Sequence, residues 1–532
     1  MAFNPQEEQG PQKILWIAEE SISSTFKQII KFVAICLVVI GILFRFTNLD
    51  LKPYWLDEAF TSFRLSGYSN AAVMQQIGNR VIPVRELQKY QQPAPENTSF
   101  HTIEQLATQE PQLTPLYFVL LRAWTQSFGS SIATIRSLSA IFSVLAFPCL
   151  YWLCLELFES RQIAWMSIAV MSVSPLHLLY AKEARPTSLW LLTLLLSSAL
   201  LLRALRTQTK LNWLWYGLSI AVGLYGHLFT TFVSIAHAVY VLLQERFRLS
   251  KNLISFGIAS IAGWLFFVPW IWFGLVTHHP SMAGQSLPMP LPALIRSLLR
   301  SVSLVFVDFS LDERSPRLYF LMFLAVFLSV LVFVGLVLFF FYRSAPKSPK
   351  QFVFAMIAVP YVLLLGSDLA FGAARSGAAR YLILAYVGIQ LATAYIFTTR
   401  IADDSARFRK VWIGLMGFIL SIGLMSCGLM TTSEFWWNKA DANSERQLAS
   451  IVNRSTKPIV ITDDYFVKLL SFSHSLAPDV RVQVLSNAAP NIPQGFSDVF
   501  LYRPSESLQK ALTANHRLQP IEPPLLWKLQ QP

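Results

Sequence analysis

Long apolar runs dominate this sequence and constrain its fold more than any other feature. Of its 532 residues, 54% are hydrophobic and only 14% are charged, which is more apolar than a soluble domain needs. About 20 apolar residues cross a bilayer as a helix. About eleven runs approach this length, at 29–49, 133–154, 162–180, 187–204, 212–226, 228–244, 253–275, 317–342, 352–371, 381–399 and 411–430. The sequence therefore predicts an α-helical polytopic membrane protein with about eleven transmembrane helices. The exact division of residues 212–244 into spans stays open.

Basic residues cluster in the short loops on one side of these runs. The net charge of +13 could suggest a nucleic-acid partner, but this loop pattern instead indicates orientation in a membrane. By the positive-inside rule the N-terminal segment is cytoplasmic, and the first run is an uncleaved anchor. The loop 50–132 and the tail from Thr431 are then extracytoplasmic. We expect an integral multi-pass protein of a bacterial plasma membrane that binds membrane lipids and no nucleic acid.

The C-terminal tail has the pattern of a small α/β domain. Lys457 to Asp464 is a short apolar run that ends at acids and predicts a strand. Residues 446–452 predict a helix before it, and 480–485 predict a second strand. The predicted organisation is a cytoplasmic segment (1–28), a transmembrane domain with the large outer loop (29–430) and an extracytoplasmic α/β domain (431–532).

Asp57 and Glu58 form a carboxylate pair just beyond the first apolar run. Tyr54 and Trp55 precede them and are aromatic residues of the kind that lie at headgroup level. A carboxylate in this place can accept a proton from an acceptor hydroxyl or bind a metal. The alternative is a solvated loop start that is merely acidic, so the pair needs support from the rest of the chain.

Ionisable residues also gather at the short turns that should face outward. They are His177, Lys182, Glu183, Arg185, Asp368, Arg375 and Arg380. Positive charge on the translocated side runs against the orientation rule and needs a reason. One reason is structural, because Glu183 could pair with an arginine and fix two helix ends. The other is a cradle for a phosphate, which arginine contacts in bidentate geometry. The whole set on one face, together with Asp57 and Glu58, favours the cradle.

A sugar carried on a polyprenyl phosphate fits this arrangement. Its anionic head would lie at the outer interface while its chain remains in the bilayer. A carboxylate would deprotonate the acceptor hydroxyl, and the arginines would stabilise the leaving phosphate. Because phosphate leaves without a general acid, one base suffices for an inverting displacement, unlike the two carboxylates of glycoside hydrolysis. The sugar and the acceptor (a lipid, a polysaccharide or a protein hydroxyl) stay open.

Five short segments occur in the order and on the membrane side that are typical of one enzyme family. They are Leu56-Asp57-Glu58-Ala59, Glu110 to Tyr117, Ser174-Pro175 with Tyr180 and Glu183-Ala184-Arg185, Tyr225-Gly226-His227, and Arg380-Tyr381-Leu382. Through them the chain resembles the membrane glycosyltransferases of the GT-C fold, in particular the protein O-mannosyltransferase and aminoarabinose transferase group. The resemblance runs from the first apolar run to about Ile396.

The resemblance implies a donor and a set of functional residues. It implies a polyprenyl-phosphate-linked sugar donor, Asp57 as the base with Glu58 as its neighbour, and Arg185 and Arg380 as ligands of the donor phosphate. The charge argument adds Lys182 and Arg375 to the phosphate ligands, and Glu183, Tyr117, Tyr381 and His227 are expected to support the site. The sequence departs from the family pattern at Leu113, Thr114, Thr187 and Leu384. The first two lie in the loop expected to line the acceptor side.

A metal site and two other classes of function stay open. His278 and His279 could join Glu58 or Glu86 at a divalent metal, although neighbouring loop histidines more often face solvent; no cofactor is otherwise expected. A transporter or lipid flippase would favour mid-membrane charges, discontinuous spans and an inverted repeat, none of which the sequence shows strongly. A non-catalytic scaffold for cell-envelope assembly would be indifferent to the loss of the Asp57 carboxylate.

Overall fold

The computed structural model describes residues 24–276, 289–310, 317–372, 374–402, 408–486, 492–514 and 516–530. The chain divides into two compact units. The helical unit comprises Met1–Asn48, Pro111–Leu116 and Arg136–Thr432. The sheet unit comprises Leu49–Glu110, Tyr117–Ile135 and Ser433–Pro532, so it combines most of the first outer loop with the C-terminal tail.

Helices make up most of the described chain. In chain order they are α1 (Ser24–Phe46), α2 (Leu56–Ser66), α3 (Asn70–Ile77), α4 (Val84–Gln88), α5 (Ser99–Gln109), α6 (Leu116–Phe128), α7 (Ile132–Phe158), α8 (Arg161–Ser172), α9 (Pro175–Ala181), α10 (Thr187–Thr207), α11 (Lys210–Gly226), α12 (Thr230–Gln244), α13 (Lys251–Leu265), α14 (Val268–Val276), α15 (Leu291–Ser303), α16 (Arg317–Ser344), α17 (Lys347–Phe371), α18 (Ile383–Ala402), α19 (Arg409–Thr432), α20 (Ala440–Val452), α21 (Phe466–Ser473) and α22 (Glu506–Thr513).

The helical unit contains the helices that are suited to cross a membrane. Among the described residues, seven helices are long and apolar enough to span, or up to nine if α8 with α9 and α13 with α14 each form one bent span. The prediction of a polytopic helical membrane protein is thus confirmed. All eleven predicted segments are helical, but the count of eleven spans is not confirmed. The segments at 212–226 and 228–244 lie in α11 and α12, which have only 17 and 15 residues.

Close helix contacts in this unit depend on small residues. A side chain at Gly217 in α11 would place its Cβ 2.7 Å from the Ala259 carbonyl oxygen in α13. A Cβ at Gly263 would lie 2.6 Å from the Gly217 carbonyl oxygen. Glycine therefore lets the two backbones approach each other, as small residues do in membrane helix pairs.

The sheet unit is built on one six-stranded sheet. Its strands are β1 (Val81–Pro83), β2 (Pro458–Thr462), β3 (Arg481–Val484), β4 (Asp498–Tyr502), β5 (Arg517–Glu522) and β6 (Leu526–Gln530), in the spatial order β1-β3-β2-β4-β6-β5. The strands β3, β2 and β4 are parallel, and the other pairings are antiparallel. All five residues of β2 are buried, as expected for a central parallel strand. The strands predicted from the tail are observed as β2 and β3.

The edge strand β1 comes from the first outer loop rather than from the tail. It pairs with β3 through Val81 opposite Gln483 and Pro83 opposite Arg481. The same loop supplies apolar side chains to the core that covers the sheet, where Phe63 packs edge-on against Phe466 with ring centroids 5.1 Å apart. Loop and tail therefore fold as one unit.

A charged pair on the strands β4 and β6 makes the stability of this sheet sensitive to acid. Lys528 Nζ lies 2.5 Å from Asp498 Oδ1, and its hydrogen bond holds the pKa of the Asp498 carboxyl below its ordinary value. The stabilisation is present above the unfolded-state pKa, about 3.9, and is lost as pH falls through the lower folded-state value. We expect the free energy of unfolding to fall less for Asp498→Asn than for the parent between pH 5 and pH 3. The difference between the two proteins should be at most about 1 kcal/mol, because the pair is partly exposed.

Thermal unfolding of both proteins at several pH values measures this difference. Glu506→Gln is the control, because Glu506 belongs to the exposed pair with Lys510. Parallel acid profiles for the parent and Asp498→Asn would contradict the assignment.

Candidate active site

In the sheet unit, Asp57 and Glu58 lie in the first turn of α2. Trp55 is the N-cap, and its carbonyl accepts hydrogen bonds from the backbone N–H of Glu58 and of Ala59, at 3.0 and 2.9 Å. The positive end of the helix dipole stabilises carboxylates in this turn. The Asp57 side chain is partly exposed, whereas Glu58 is fully buried. Two adjacent carboxylates therefore have different environments.

Glu58 forms a buried ion pair with Lys439. Lys439 Nζ lies 2.8 Å from Glu58 Oε2, and the side chains are 1% and 0% exposed. The same ammonium donates to the Pro53 carbonyl at 3.3 Å. Lys439 ends a short 3₁₀ helix (Trp437–Lys439) that leads into α20. Glu58 thus ties the start of α2 to the C-terminal tail.

Aromatic and polar side chains hold the start of α2 in place. The Tyr54 hydroxyl donates to the Glu58 carbonyl at 2.9 Å and lies 2.8 Å from Ser62 Oγ. The Tyr54 ring lies against His474, with centroids 4.5 Å apart. Tyr117, which was predicted to support the site, is fully buried in α6 with its ring against Phe118. The hydrogen bonds of Tyr54 hold the backbone at the start of α2, next to Asp57.

In the helical unit, the turn between α9 and α10 carries three of the predicted residues. Lys182 and Glu183 are buried and Arg185 is partly exposed. Lys182 Nζ donates to the Thr47 carbonyl at 2.6 Å. The Arg185 carbonyl accepts a hydrogen bond from Ser139 Oγ at 3.2 Å, which fixes the backbone at that arginine.

A second turn carries Arg375 and Arg380 on two short 3₁₀ helices, Arg375–Gly377 and Ala379–Leu382. The Asp368 carboxylate accepts the backbone N–H of Arg375 at 3.0 Å and of Ser376 at 2.7 Å. Ser297 Oγ in α15 donates to the Gly377 carbonyl at 2.8 Å. The Asp368 carboxylate therefore shapes the turn by accepting hydrogen bonds from the backbone of the turn. Arg375 is exposed, and the Arg380 guanidinium lies 5.2 Å from the centroid of the Tyr381 ring.

An aromatic row joins His227 to Tyr381. The His227 ring stacks on Trp190 with centroids 4.8 Å apart, and Phe229 lies 5.3 Å from His227. Phe229 in turn packs edge-on against Tyr381 at 4.7 Å. His227 is at the junction of α11 and α12, and Trp190 is in the first turns of α10.

Arg380 lies at the Tyr381 end of this row. Arg185 and Arg380 are both close enough to His227 for an electrostatic interaction. The helical unit thus brings together four predicted residues, Arg185, Arg380, Tyr381 and His227. Two basic groups near aromatic faces can bind an anionic head group and the ring attached to it.

The metal hypothesis has no support from the described residues. His278 and His279 lie outside them. Within the described ranges, no group of three or more His, Cys, Asp or Glu side chains is arranged to hold a metal ion.

Several residues around the predicted site residues were not predicted from the sequence. They are Trp190, Phe229, Lys439, His474 and Ser297. The aromatic ones carry no distinguishing signal in a chain with 40 Phe and 15 Trp. Lys439 could have been noticed, because it follows the last apolar run at Trp436-Trp437-Asn438.

Comparisons with known proteins agree with this architecture. Residues 110–273 match the model of the dolichyl-phosphate-mannose-protein mannosyltransferase family, a segment that contains Tyr117, Lys182, Glu183, Arg185 and His227. The crystal structure of ArnT from Cupriavidus metallidurans bound to undecaprenyl phosphate is similar, with a TM-score of 0.51 and 11% identity over 93% of this chain and 97% of that one. No curated protein sequence matches the chain significantly.

Two further solved structures are similar at the same level of identity. ArnT from Cupriavidus metallidurans in the apo state has a TM-score of 0.49, 11% identity and coverage of 93% of this chain and 97% of that one. The archaeal oligosaccharyltransferase AglB from Archaeoglobus fulgidus, in complex with an inhibitory peptide and a dolichol-phosphate, has a TM-score of 0.48 and 11% identity over 86% of this chain. The present chain spans 65% of the length of that AglB chain. The family match and the fold shared with undecaprenyl-phosphate-bound ArnT confirm the predicted resemblance to the GT-C membrane glycosyltransferases.

Proposed function

We propose that this chain transfers a sugar from a polyprenyl-phosphate-linked donor to an acceptor hydroxyl on the extracytoplasmic face of the membrane, with inversion at the anomeric carbon. The observation that carries the proposal is the gathering of Arg185, Arg380, Tyr381 and His227 in the helical unit. The family match over 110–273 and the fold shared with an undecaprenyl-phosphate-bound transferase support the donor class.

Arg185 and Arg380 bind the donor phosphate in this proposal. Both side chains are partly exposed, on turns whose backbones are fixed by Ser139 and Asp368. Fixed guanidinium groups stabilise the negative charge that grows on a leaving phosphate, without reorganisation during the reaction. Two guanidinium groups balance the charge of the phosphate dianion that leaves. Lys182 and Arg375 are the further basic groups of the same two turns.

Asp57 accepts the proton of the acceptor hydroxyl. It is the partly exposed carboxylate of the pair, whereas Glu58 is buried with Lys439. The acceptor oxygen forms a bond to the anomeric carbon while the bond from that carbon to the phosphate oxygen breaks. The proton passes to Asp57, and the electron pair leaves with the polyprenyl phosphate.

Membrane orientation completes the proposal. The loop charges favour a cytoplasmic N-terminus and a sheet unit on the outer side. We propose that the membrane is a bacterial plasma membrane. The acceptor is a hydroxyl of a lipid, a polysaccharide or a protein on that outer side.

A transporter or flippase is the second candidate, favoured by one observation. The pairs α8–α9 and α13–α14 bend by 62° and 48° at short breaks, and discontinuous spans are common at transporter binding sites. The deciding measurement is incubation of the purified protein with a panel of polyprenyl-phosphate sugars and candidate acceptors, followed by detection of released polyprenyl phosphate. Release supports the transferase, and transport of donor without release supports the flippase.

Loss of a phosphate arginine should weaken this activity strongly. Arg380→Ala is expected to lower kcat/KM for the donor by about 10- to 150-fold, the equivalent of one charge-assisted hydrogen bond of about 1.5–3 kcal/mol. Steady-state kinetics of polyprenyl phosphate release provides the measurement. The matched control is Arg203→Ala at the far end of α10, where the arginine is paired with Glu156. Equal effects of the two substitutions would contradict a phosphate role for Arg380.

A further inference from the structure

The bent span α8–α9 leaves backbone groups without helical partners. α8 ends at Ser172 and α9 begins at Pro175, a residue that has no N–H and disfavours helix in the residue before it. Carbonyls at the end of α8 therefore need other donors, because unsatisfied groups are costly in a membrane. The segment that follows α9 carries Arg185, so the geometry of this break sets where that arginine lies.

Arg45, near the end of α1, supplies those donors. Its side chain is fully buried, and its Nη1 donates to the Ser172 carbonyl at 3.1 Å and to the Gly41 carbonyl at 2.8 Å. Its Nη2 lies 3.5 Å from the Met171 carbonyl, and its Nε donates to Ser143 Oγ at 2.8 Å. One guanidinium group thus joins α1, α7 and the end of α8.

α1 reaches this position because residue 41 is glycine. A Cβ at Gly41 would lie 2.6 Å from the Ser172 carbonyl oxygen and 2.9 Å from its Cβ. Backbone atoms on the facing helix cannot move away at low cost, so any side chain there separates the two helices. The contact between α1 and the break is therefore built into the sequence at two positions, Gly41 and Arg45.

Lys182 connects the C-terminal end of α9 to the end of α1. It directly follows α9, and its Nζ donates to the carbonyl of Thr47, the residue after the end of α1. A lysine at a helix C-terminus satisfies a free carbonyl and interacts favourably with the helix dipole. α1 thus holds the end of α8 through Arg45 and the end of α9 through Lys182.

We infer that Arg45 and Lys182 act as a clamp on the bent span, one at the end of α8 and the other at the end of α9, and that Arg45 is a positioning residue for the phosphate-binding turn at Arg185. The second part rests on the proposed function, whereas the clamp itself does not. The clamp gives Lys182 a role that is independent of any ligand. It also explains why a fully buried arginine is placed in the first apolar helix, where a charged side chain is otherwise disfavoured.

Hydrogen exchange of the purified full chain in detergent, without donor, tests the clamp. Arg45→Met and Lys182→Met should each raise exchange in peptides covering 173–186 by about tenfold or more, since each removes hydrogen bonds from a charged group. Peptides covering 195–205 in α10 should exchange as in the parent. Ser143→Ala, which removes only the α7 partner of Arg45, is the matched control and should have a smaller effect. Unchanged exchange at 173–186 in both variants would overturn the clamp.

Kinetics with the donor tests the positioning role separately. Arg45→Met should raise the donor KM by about tenfold and also lower kcat by a few-fold, because a displaced Arg185 binds the donor phosphate less well and stabilises the leaving phosphate less. Raised exchange with an unchanged KM would overturn the positioning role. A raised KM for Lys182→Met with unchanged exchange would show that Lys182 only binds phosphate, and would also overturn the clamp.

This design distinguishes failure of the proposed function from failure of the clamp. If the parent releases no polyprenyl phosphate with any donor, the proposed function fails, but the exchange data still decide the clamp. If Arg45→Met does not fold, Arg45→Lys replaces it. A lysine keeps the charge but cannot reach Ser143 and the Ser172 carbonyl together, so exchange at 173–186 should again rise.

Discussion

Asp57→Asn is expected to lower the turnover of sugar transfer by about 10²- to 10⁴-fold, the usual contribution of a general base. Donor binding should remain that of the parent, because the amide keeps the shape of the side chain. The loss of a negative charge from the first turn of α2 should cost at most about 1 kcal/mol of stability. Single-turnover release of polyprenyl phosphate measures the rate of the chemical step. Equilibrium binding of the donor measures whether its affinity is unchanged.

The control for this substitution is Glu104→Gln, an exposed acid on α5 in the same unit. It should leave turnover unchanged. Turnover of Asp57→Asn within about threefold of the parent would remove the base from the proposed mechanism and favour a transporter or a scaffold.

Lys439→Met is expected to destabilise the sheet unit by about 3–5 kcal/mol, because it removes one of the two charges of a buried ion pair and leaves the Glu58 carboxylate buried without the Lys439 ammonium. For a unit of this size that corresponds to a fall of about 6–20 °C in the midpoint of thermal unfolding. A thermal-shift measurement on the full chain in detergent, with proteolysis mapped to the sheet unit, gives the value.

The double variant Glu58→Met with Lys439→Met is the matched control. It removes both charges, and replacement of a buried ion pair by apolar side chains is often neutral. The double variant should therefore recover most of the lost stability. If it unfolds as early as Lys439→Met alone, the loss arises from packing rather than from an unpaired charge.

Helices of the membrane unit could be predicted because hydropathy is a local property of the chain. Each of the eleven apolar runs is helical. The number of membrane crossings could not be predicted in the same way. Residues 212–244 divide into two short helices at His227, and Pro175 breaks another run into α8 and α9. Run length alone does not distinguish a bent span from two elements.

The sheet unit shows where local patterns stop being informative. β2 and β3 were predicted from short apolar runs, since a buried parallel strand is recognisable by itself. The pairing of β1 with β3 was not, because Val81 and Gln483 are far apart in the sequence. The ion pair of Glu58 with Lys439 was missed for the same reason, at a separation of 381 residues.

The charged residues at the outward turns could be noticed in the sequence because they oppose the usual membrane rules. The resemblance then singled out Arg185 and Arg380, whose role as phosphate ligands stays a prediction. Trp190 and Phe229, which lie against His227, look like ordinary membrane residues in the sequence. Chemistry carried by charged groups is therefore visible in one sequence, whereas chemistry carried by aromatic faces is not.

The sheet is built from two segments that are far apart in the sequence, and this imposes an order on biosynthesis. The ribosome makes β1 and the α2 segment about 400 residues before β3, their partner in the sheet. At about 5–20 residues per second, the early segment waits for about 20–80 s with its apolar side chains uncovered. During that interval its apolar side chains lack the tail residues that cover them in the folded unit. Slow elongation late in the message therefore lengthens the period in which the nascent protein is open to aggregation and proteolysis.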